Sequence, residues 1–159
     1  MADLTLDSLG RPAELLLVED NYGDVLLTRE ACRNARMPNN LSVARDGEEA
    51  ISILRREGRH AEHPRPDLIL LDLNLPRMDG REVLQTIKSD PALQRIPVIV
   101  LTSSAAEIDV YKSYDLKANS YIVKPVEFDR LQEIVASIES FWLTVAALPT
   151  TVAGASDGR

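Results

Sequence analysis

Five short apolar runs are the feature that most constrains the fold of this chain. Each run is four or five residues long, too short for a helix, and most are rich in Val, Ile or Leu. Runs that lack alternation of apolar and polar residues are typical of strands covered on both faces, as in a parallel sheet. The five predicted strands are residues 15–18, 41–44, 68–71, 97–101 and 120–123.

Segments with helical spacing of apolar residues separate these runs. They lie at residues 25–32, 48–56, 83–87, 106–114 and 127–147. The alternation predicts one α/β domain, a doubly wound (βα)5 parallel five-stranded sheet with helices on both sides. Only 4% of the 159 residues are aromatic, so we expect a core of Leu, Ile, Val and Ala. Asn39-Asn40, after Pro38, predicts the end of the first helix, and 58–66 a polar loop.

Polar residues stand just after four of the five predicted strands, and the second strand, which lacks one, is expected at an edge. Ligands of open parallel sheets bind beyond the carboxyl ends of the strands, so these side chains are expected to form one site. They are Glu19 and Asp20 after the first strand, Asp72 after the third, Thr102 with Ser103 and Ser104 after the fourth, and Lys124 after the fifth.

The chemistry of this set indicates phosphoryl transfer to a carboxylate. Three acids on adjacent loops repel one another unless a cation lies between them, and oxygen ligands with room for water suit Mg²⁺. Asp72 can attack phosphorus and form an acyl phosphate, while Lys124 pairs with a phosphoryl oxygen or with Asp72 itself. Thr102 can donate a hydrogen bond to another oxygen, and Ser103 can lend its backbone N–H. As an alternative, Glu19 and Asp20 are simply acids favoured at a helix N-terminus.

Four segments of the chain resemble the receiver domains of two-component response regulators. They are LLLVEDN (15–21), PDLILLDLNLPRMDG (66–80), PVIVLTSSA (97–105) and SYIVKP (120–125). The resemblance implies a flavodoxin-like fold with strand order 2-1-3-4-5, phosphorylation on Asp72, and a protein that is not an enzyme acting on outside substrates. It also implies that Mg²⁺ binds Asp20, Asp72 and the backbone carbonyl of Asn74, with Glu19 acting through water.

The resemblance further implies a switch pair, Thr102 and Tyr121, and a cis peptide bond between Lys124 and Pro125. Phosphorylated Asp72 would draw Thr102 inward, and the ring of Tyr121 would fill the space left behind, changing the outer surface of the fourth helix and fifth strand. Taken alone, a Tyr in a final strand is more often packed core than a switch.

Other segments are similar to a narrower group, the single-domain regulators partnered with bacterial and cyanobacterial phytochromes. These segments are SYDLKANSYIVKP (113–125), FWLTVAALP (141–149) and the loop at 55–66. The similarity implies a sensor histidine kinase, specifically a bacteriophytochrome, as partner. One departure from the receiver pattern is Lys117-Ala118, where receivers usually have Gly-Ala.

The last predicted helix, at 127–147, is 21 residues long, or roughly 32 Å, and its apolar residues cover more than one narrow stripe. Phe141 and Trp142 are adjacent and cannot both face one core. Either one of them is singly exposed, or a homodimer buries the extra stripe. We favour the homodimer, with Phe141, Trp142 and Val145 in its interface, as the phytochrome-partner group forms such dimers through its C-terminal region.

Bulk properties give the domain limits and several exclusions. We expect an N-terminal extension at 1–11, the receiver domain at 12–147 and a flexible tail at 148–159. A net charge of −7 disfavours nucleic acid and anionic membranes as partners. No apolar run reaches the roughly 18 residues that span a bilayer, and the N-terminus lacks the cationic start of a signal peptide. A single cysteine rules out an internal disulfide, so a cytoplasmic setting is expected.

The main alternative is a Mg²⁺-dependent phosphohydrolase with an Asp nucleophile. Such enzymes usually place a second Asp two residues after the nucleophile as general acid, but Asn74 stands there. A phosphorelay intermediate and a degenerate receiver that only binds partners are further alternatives, and a DNA-binding regulator is not expected because about eleven residues follow the last helix. The residues interpreted as solvated or packed rather than functional are His60, His63, Cys32, Arg55, Arg56, Arg59 and Arg65.

Overall fold

A computed structural model describes residues 11–113, 118, 120–124 and 127–137. Its five strands form one parallel sheet in the order β2-β1-β3-β4-β5, which confirms the predicted fold class and strand order. The strands are β1 (Ala13–Val18), β2 (Asn39–Ala44), β3 (Leu68–Asp72), β4 (Val98–Thr102) and β5 (Ser120–Val123).

A helix follows each strand in the chain. The helices are α1 (Tyr22–Arg33), α2 (Gly47–Leu54), α3 (Gly80–Ser89), α4 (Ala105–Ser113) and α5, which is helical through the described residues 128–137. A short 3-10 helix, Gly58–His60, lies in the loop after α2. Among the residues that the structure describes, no helix is both long enough and apolar enough to cross a membrane.

The chain divides into two compact units. One consists of Glu14–Leu26 and Leu41–Val126 and contains the carboxyl ends of all five strands. Its core consists of aliphatic side chains from the strands and from α2 and α3, as the low aromatic content predicts. The other unit includes Leu27–Asn40 and the described residues 11–13 and 127–137, and its buried side chains include Cys32, Met37 and Leu131.

Several element boundaries differ from the predictions. The prediction that Asn39-Asn40 ends the first helix is wrong: α1 ends at Arg33, and β2 begins at Asn39. The Asn39 side-chain amide donates to the carbonyl oxygens of Cys32 and Met37, 2.9 Å each, so it stabilises the turn from inside the strand. Asp72 and Thr102 are the last residues of β3 and β4 rather than the first residues beyond them.

The start of α3 is fixed beside the end of β3. Asp79 and Glu82 form a capping box, in which each side chain accepts a hydrogen bond from the other residue's backbone N–H. Gly80 follows, and a Cβ there would lie 2.5 Å from Leu73 Cα, so only glycine allows this approach. The contact positions the loop that follows Asp72.

The residues predicted to be nonfunctional have ordinary structural contacts. Cys32 is buried, and burial raises the pKa of its thiol to about 11. Nδ1 of His63 donates to the carbonyl of Pro64, and its Nε2 lies 3.0 Å from the Ser42 hydroxyl. Arg59 is exposed and pairs with Glu49 at 3.2 Å.

Several predictions fall on residues outside the described ranges. They concern the N-terminal extension, the Lys124–Pro125 peptide, Lys117, the C-terminal tail, and the interface residues Phe141, Trp142 and Val145.

Candidate functional site

The carboxyl edge of the sheet brings three acids together. β1 pairs with β3 in the register Val18 to Leu71, so the next residues, Glu19 and Asp72, are neighbours. Glu19, Asp20 and Asp72 each offer a carboxylate oxygen, and these atoms lie within 4.8 Å of one another. Glu19 and Asp72 are 1% exposed, whereas Asp20 is exposed. The cluster is therefore closed on the protein side and open to solvent at Asp20.

Lys124 supplies a positive charge to this cluster. Its Nζ lies 3.1 Å from Glu19 Oε1, 3.3 Å from Asp72 Oδ2 and 2.8 Å from Asp24 Oδ2. An ammonium has three N–H donors, so these contacts account for all of them. Burial alone would lower the pKa of Lys124, but the hydrogen bond to Asp24 and the charges of Glu19 and Asp72 outweigh it and raise the pKa. Lys124 therefore remains a cation in the site.

One ammonium does not neutralise the acids around it. Burial, reinforced by the hydrogen bond and charge of Asp72, raises the pKa of Glu19 to about 8, even though Lys124 opposes the shift. The largest cause is the removal of this carboxyl from water, and the neighbouring Asp72 adds to it. Three clustered carboxyl groups, one of them solvent-exposed, offer the oxygen ligands that fit a hard divalent cation that keeps several waters.

Asn74 and Ser103 connect the loops that follow β3 and β4. The backbone N–H of Asn74 donates to Asp72 Oδ1 at 3.0 Å. Its side-chain oxygen accepts from the Ser103 hydroxyl at 3.0 Å and from the Ser103 backbone N–H at 3.4 Å. Both residues are exposed, so the Ser103 N–H that was predicted to bind a phosphoryl oxygen lies at the mouth of the site.

Thr102 and Tyr121, the predicted switch pair, lie on adjacent strands. Thr102 is fully buried, and its hydroxyl donates to Glu107 Oε1 and accepts from the backbone N–H of Ser104 at 3.2 Å. Tyr121 pairs with Val100, and its half-buried ring packs against the core, where burial raises the pKa of its phenol. The Thr102 hydroxyl therefore points to the start of α4.

Two acids that the sequence analysis did not single out contact the site. Asp24 lies in the first turn of α1 and binds Lys124, and Glu107 lies in the first turn of α4 and binds Thr102. Acids are common in the first turn because the helix dipole favours them, and that general preference conceals a specific role. The sequence feature that could have indicated Asp24 and Glu107 is their position, since both helices start directly after site residues.

The sequence matches a known family over most of its length. Residues 15–136 match the family described as response regulator receiver domain. Response regulator Rcp1 of Synechocystis sp. is 46% identical over 143 residues, covering 90% of this chain and 97% of Rcp1. The solved Mn²⁺-bound form of Rcp1 is similar with a TM-score of 0.73 and 48% identity, covering 83% of this chain and 95% of that one.

Two further solved structures are similar over a comparable length. The phosphorylated cyanobacterial phytochrome response regulator RcpA has a TM-score of 0.75 and 52% identity, covering 85% of this chain and 96% of RcpA. The bacteriophytochrome response regulator AtBRR has a TM-score of 0.70 and 44% identity, covering 81% of this chain and 92% of AtBRR.

Proposed function

The chain belongs to the response regulator receiver domain family, and we propose that it is a stand-alone regulator whose Asp72 accepts a phosphoryl group from a sensor histidine kinase. One observation carries the proposal: the carboxylate of Asp72, 1% exposed, lies 3.3 Å from the Lys124 ammonium and within an acidic cluster. The match to Rcp1, which extends over 97% of that protein, supports the role of a response regulator.

The reaction is an in-line transfer to a carboxylate oxygen. An Asp72 oxygen attacks phosphorus while the P–N bond to the kinase histidine breaks, and the electron pair of that bond stays on the imidazole nitrogen. Asp72 is held for attack by the Asn74 N–H on Oδ1 and by Lys124 on Oδ2. Lys124 then pairs with a phosphoryl oxygen, while Thr102 and the Ser103 N–H bind the remaining oxygens.

The oxygen ligands of the site fit Mg²⁺. The ion would be bound directly by Asp20, Asp72 and the backbone carbonyl of Asn74, and through a water molecule by Glu19. When bound, Mg²⁺ offsets the repulsion between the Asp72 carboxylate and the incoming phosphoryl oxygens. The three carboxylate oxygens that lie within 4.8 Å of one another support a cation here, and the relative Rcp1 has been solved with Mn²⁺.

The phosphoryl signal passes through the proposed switch pair to α4 and β5. Thr102 turns from α4 towards the phosphoryl group, and the half-buried Tyr121 ring moves into the space that Thr102 leaves. The signal therefore leaves through a change of packing on this side of the receiver.

The partner that best fits the chain is a bacteriophytochrome histidine kinase. The similarity to the cyanobacterial phytochrome response regulator RcpA and to the bacteriophytochrome response regulator AtBRR supports this assignment. We further propose that the protein works in the cytoplasm, where the kinase obtains its ATP, and that it forms a homodimer through Phe141, Trp142 and Val145.

Labelling with a small phosphoryl donor tests the function directly. With acetyl phosphate or phosphoramidate and Mg²⁺, intact-mass spectrometry is expected to show one added phosphoryl group, which is absent in Asp72→Asn. The control Asp109→Asn makes the same substitution at an exposed residue on α4 and is expected to be labelled like the parent. Equal labelling of Asp72→Asn and the parent would refute the assignment.

The phosphohydrolase alternative fits the site less well. The residue two positions after Asp72 is Asn74, whose side-chain oxygen accepts from Ser103 and whose amide cannot serve as a general acid. Multiple turnovers of p-nitrophenyl phosphate, abolished by Asp72→Asn, would favour the hydrolase instead.

A further inference from the structure

Glu107 makes a contact at the proposed switch that the phosphoryl transfer itself does not need. Its side chain extends from the first turn of α4 and accepts a hydrogen bond from the Thr102 hydroxyl. Thr102 is fully buried, and Glu107 is partly buried. The contact therefore lies inside the protein at the junction of β4 and α4.

The hydroxyl of Thr102 has a single proton, which limits what it can bind at one time. Two acceptors lie within reach, Glu107 Oε1 and the Ser104 carbonyl at 3.3 Å. A carboxylate is the stronger acceptor because the hydrogen bond is charge-assisted. The Ser104 N–H, at 3.2 Å, also donates to the same hydroxyl oxygen. All of these contacts direct Thr102 towards α4.

We propose that Glu107 is a positioning residue that retains the Thr102 hydroxyl at α4 and competes with the phosphoryl group for its proton. This inference rests on the proposed function, because it concerns the state that follows phosphorylation of Asp72. Donation to Glu107 and donation to a phosphoryl oxygen exclude each other. Glu107 therefore stabilises the unphosphorylated state, and a phosphoryl group on Asp72 breaks the hydrogen bond between Thr102 and Glu107.

The exclusion couples the site to α4 in both directions. A ligand that accepts the hydrogen bond of the Thr102 hydroxyl removes that bond from the first turn of α4. Conversely, a change that weakens the bond between Thr102 and α4 increases the affinity of the ligand, and the two effects have the same coupling free energy. The stability of the first turn of α4 thus depends on which acceptor the Thr102 hydroxyl binds, in addition to the packing change at Tyr121.

Titration with beryllium fluoride in the presence of Mg²⁺ tests the inference, because beryllium fluoride bound to an Asp carboxylate imitates the phosphoryl group. Glu107→Ala is expected to bind it about tenfold more tightly than the parent, which corresponds to the loss of one competing hydrogen bond to a charged group. Glu107→Gln is expected to show a smaller gain, since its amide oxygen still accepts. Asp109→Asn, which removes an exposed charge from the same helix, is the matched control and is expected to leave the Kd unchanged.

A second comparison separates positioning from a general effect of charge or folding. In a Thr102→Val background no hydroxyl proton exists, so adding Glu107→Gln is expected to change the Kd very little. In a Thr102→Ser background the hydroxyl is restored, and the effect of Glu107→Gln is expected to return. Amide exchange gives an independent measurement: beryllium fluoride is expected to accelerate exchange at residues 105–108 in the parent but not in Glu107→Ala, where the hydrogen bond is absent and exchange is already fast.

The outcomes distinguish this inference from the proposed function. A parent protein that neither binds beryllium fluoride nor is phosphorylated on Asp72 would contradict both. A parent that binds it, together with Glu107 variants of unchanged Kd, would overturn the inference alone. So would an effect of Glu107→Gln that persists undiminished in Thr102→Val, because it could not then act through the hydroxyl.

Discussion

At the scale of single residues, the site depends on one ammonium shared by three acidic side chains. Lys124 is 16% exposed at its side chain and contacts Glu19, Asp24 and Asp72. Its partners Glu19 and Asp72 are buried, so neither can turn to water if the lysine is removed. The positive charge therefore stabilises the folded protein as well as the phosphoryl group.

Replacing Lys124 by Met is expected to destabilise the metal-free protein by about 3 kcal/mol, because it leaves buried acids without their cation. Millimolar Mg²⁺ or Mn²⁺ is expected to restore more stability in the variant than in the parent, since the metal and the ammonium neutralise the same carboxylates. Thermal unfolding with and without the metal measures both effects.

Lys88→Met is the matched control for this experiment. Lys88 is also partly buried, but its ammonium donates to the backbone carbonyls of Gln94 and Ile96, at 3.2 Å each. Its loss is expected to lower the unfolding temperature without changing the response to metal. An equal metal response in Lys124→Met and Lys88→Met would contradict the shared neutralisation.

The residues of this site differ in how far the sequence could reveal them. Asp72, Thr102 and Lys124 were predictable because parallel strands bring their carboxyl ends to one edge, whichever helices lie between them. The contacts of Asp24 and Glu107 were not, because they depend on where the first turn of each helix points. That direction is set by packing across the sheet and not by local sequence.

At the scale of elements, α3 shows how closely a helix can approach the strand that precedes it. A Cβ at Gly80 would lie 2.5 Å from Leu73 Cα and 2.6 Å from Leu73 Cδ2. The first of these atoms belongs to the backbone of the segment directly after Asp72, so the conflict cannot be relieved by a change of rotamer.

Gly80→Ala is expected to destabilise the protein by about 3 kcal/mol, within the range of overpacked core substitutions, and to slow phosphorylation of Asp72 by displacing its loop.

Gly58→Ala is the control: its φ is +56° but nothing lies within 4 Å of the added Cβ. It is expected to cost about 1 kcal/mol through backbone conformation alone and to leave phosphorylation unchanged. Chemical denaturation measures the first effect, and labelling rates measure the second. Comparable costs at both glycines would contradict the role assigned to the close contact.

The sequence predicted the type and order of the elements better than their ends. Five apolar runs sufficed for five strands, but β1 begins two residues before its run, at Ala13. Beside it, the Glu14 backbone N–H donates to Asp67 Oδ2 at 2.7 Å, across 53 positions of sequence. β2 likewise includes Asn39, a poor strand former, because its side chain binds two carbonyl groups. Such ends are fixed by tertiary partners that local patterns do not show.

At the scale of the whole molecule, the proposed homodimer determines how many changed surfaces a partner protein meets. A dimer places two phosphoacceptor sites in one particle, and any change at α4 and β5 then occurs in two copies at once. The prediction comes from the sequence, where Phe141 and Trp142 are adjacent in a helical pattern that is wider than one packed face.

Sedimentation velocity of the double variant Phe141→Ala/Trp142→Ala tests this interface. The parent is expected to sediment with the mass of a dimer and the variant with that of a monomer of about 17.6 kDa, because Trp and Phe are enriched in the buried cores of interfaces. Tyr22→Ala removes an aromatic ring that is 63% exposed on α1 and is expected to leave the dimer intact. If the parent itself sediments as a monomer, or if the double variant keeps the mass of the dimer, the interface is wrong. Because Phe141 and Trp142 supply no group to the proposed phosphoryl transfer, labelling is expected to persist in the monomeric variant, so assembly and phosphoryl transfer can be separated in one protein.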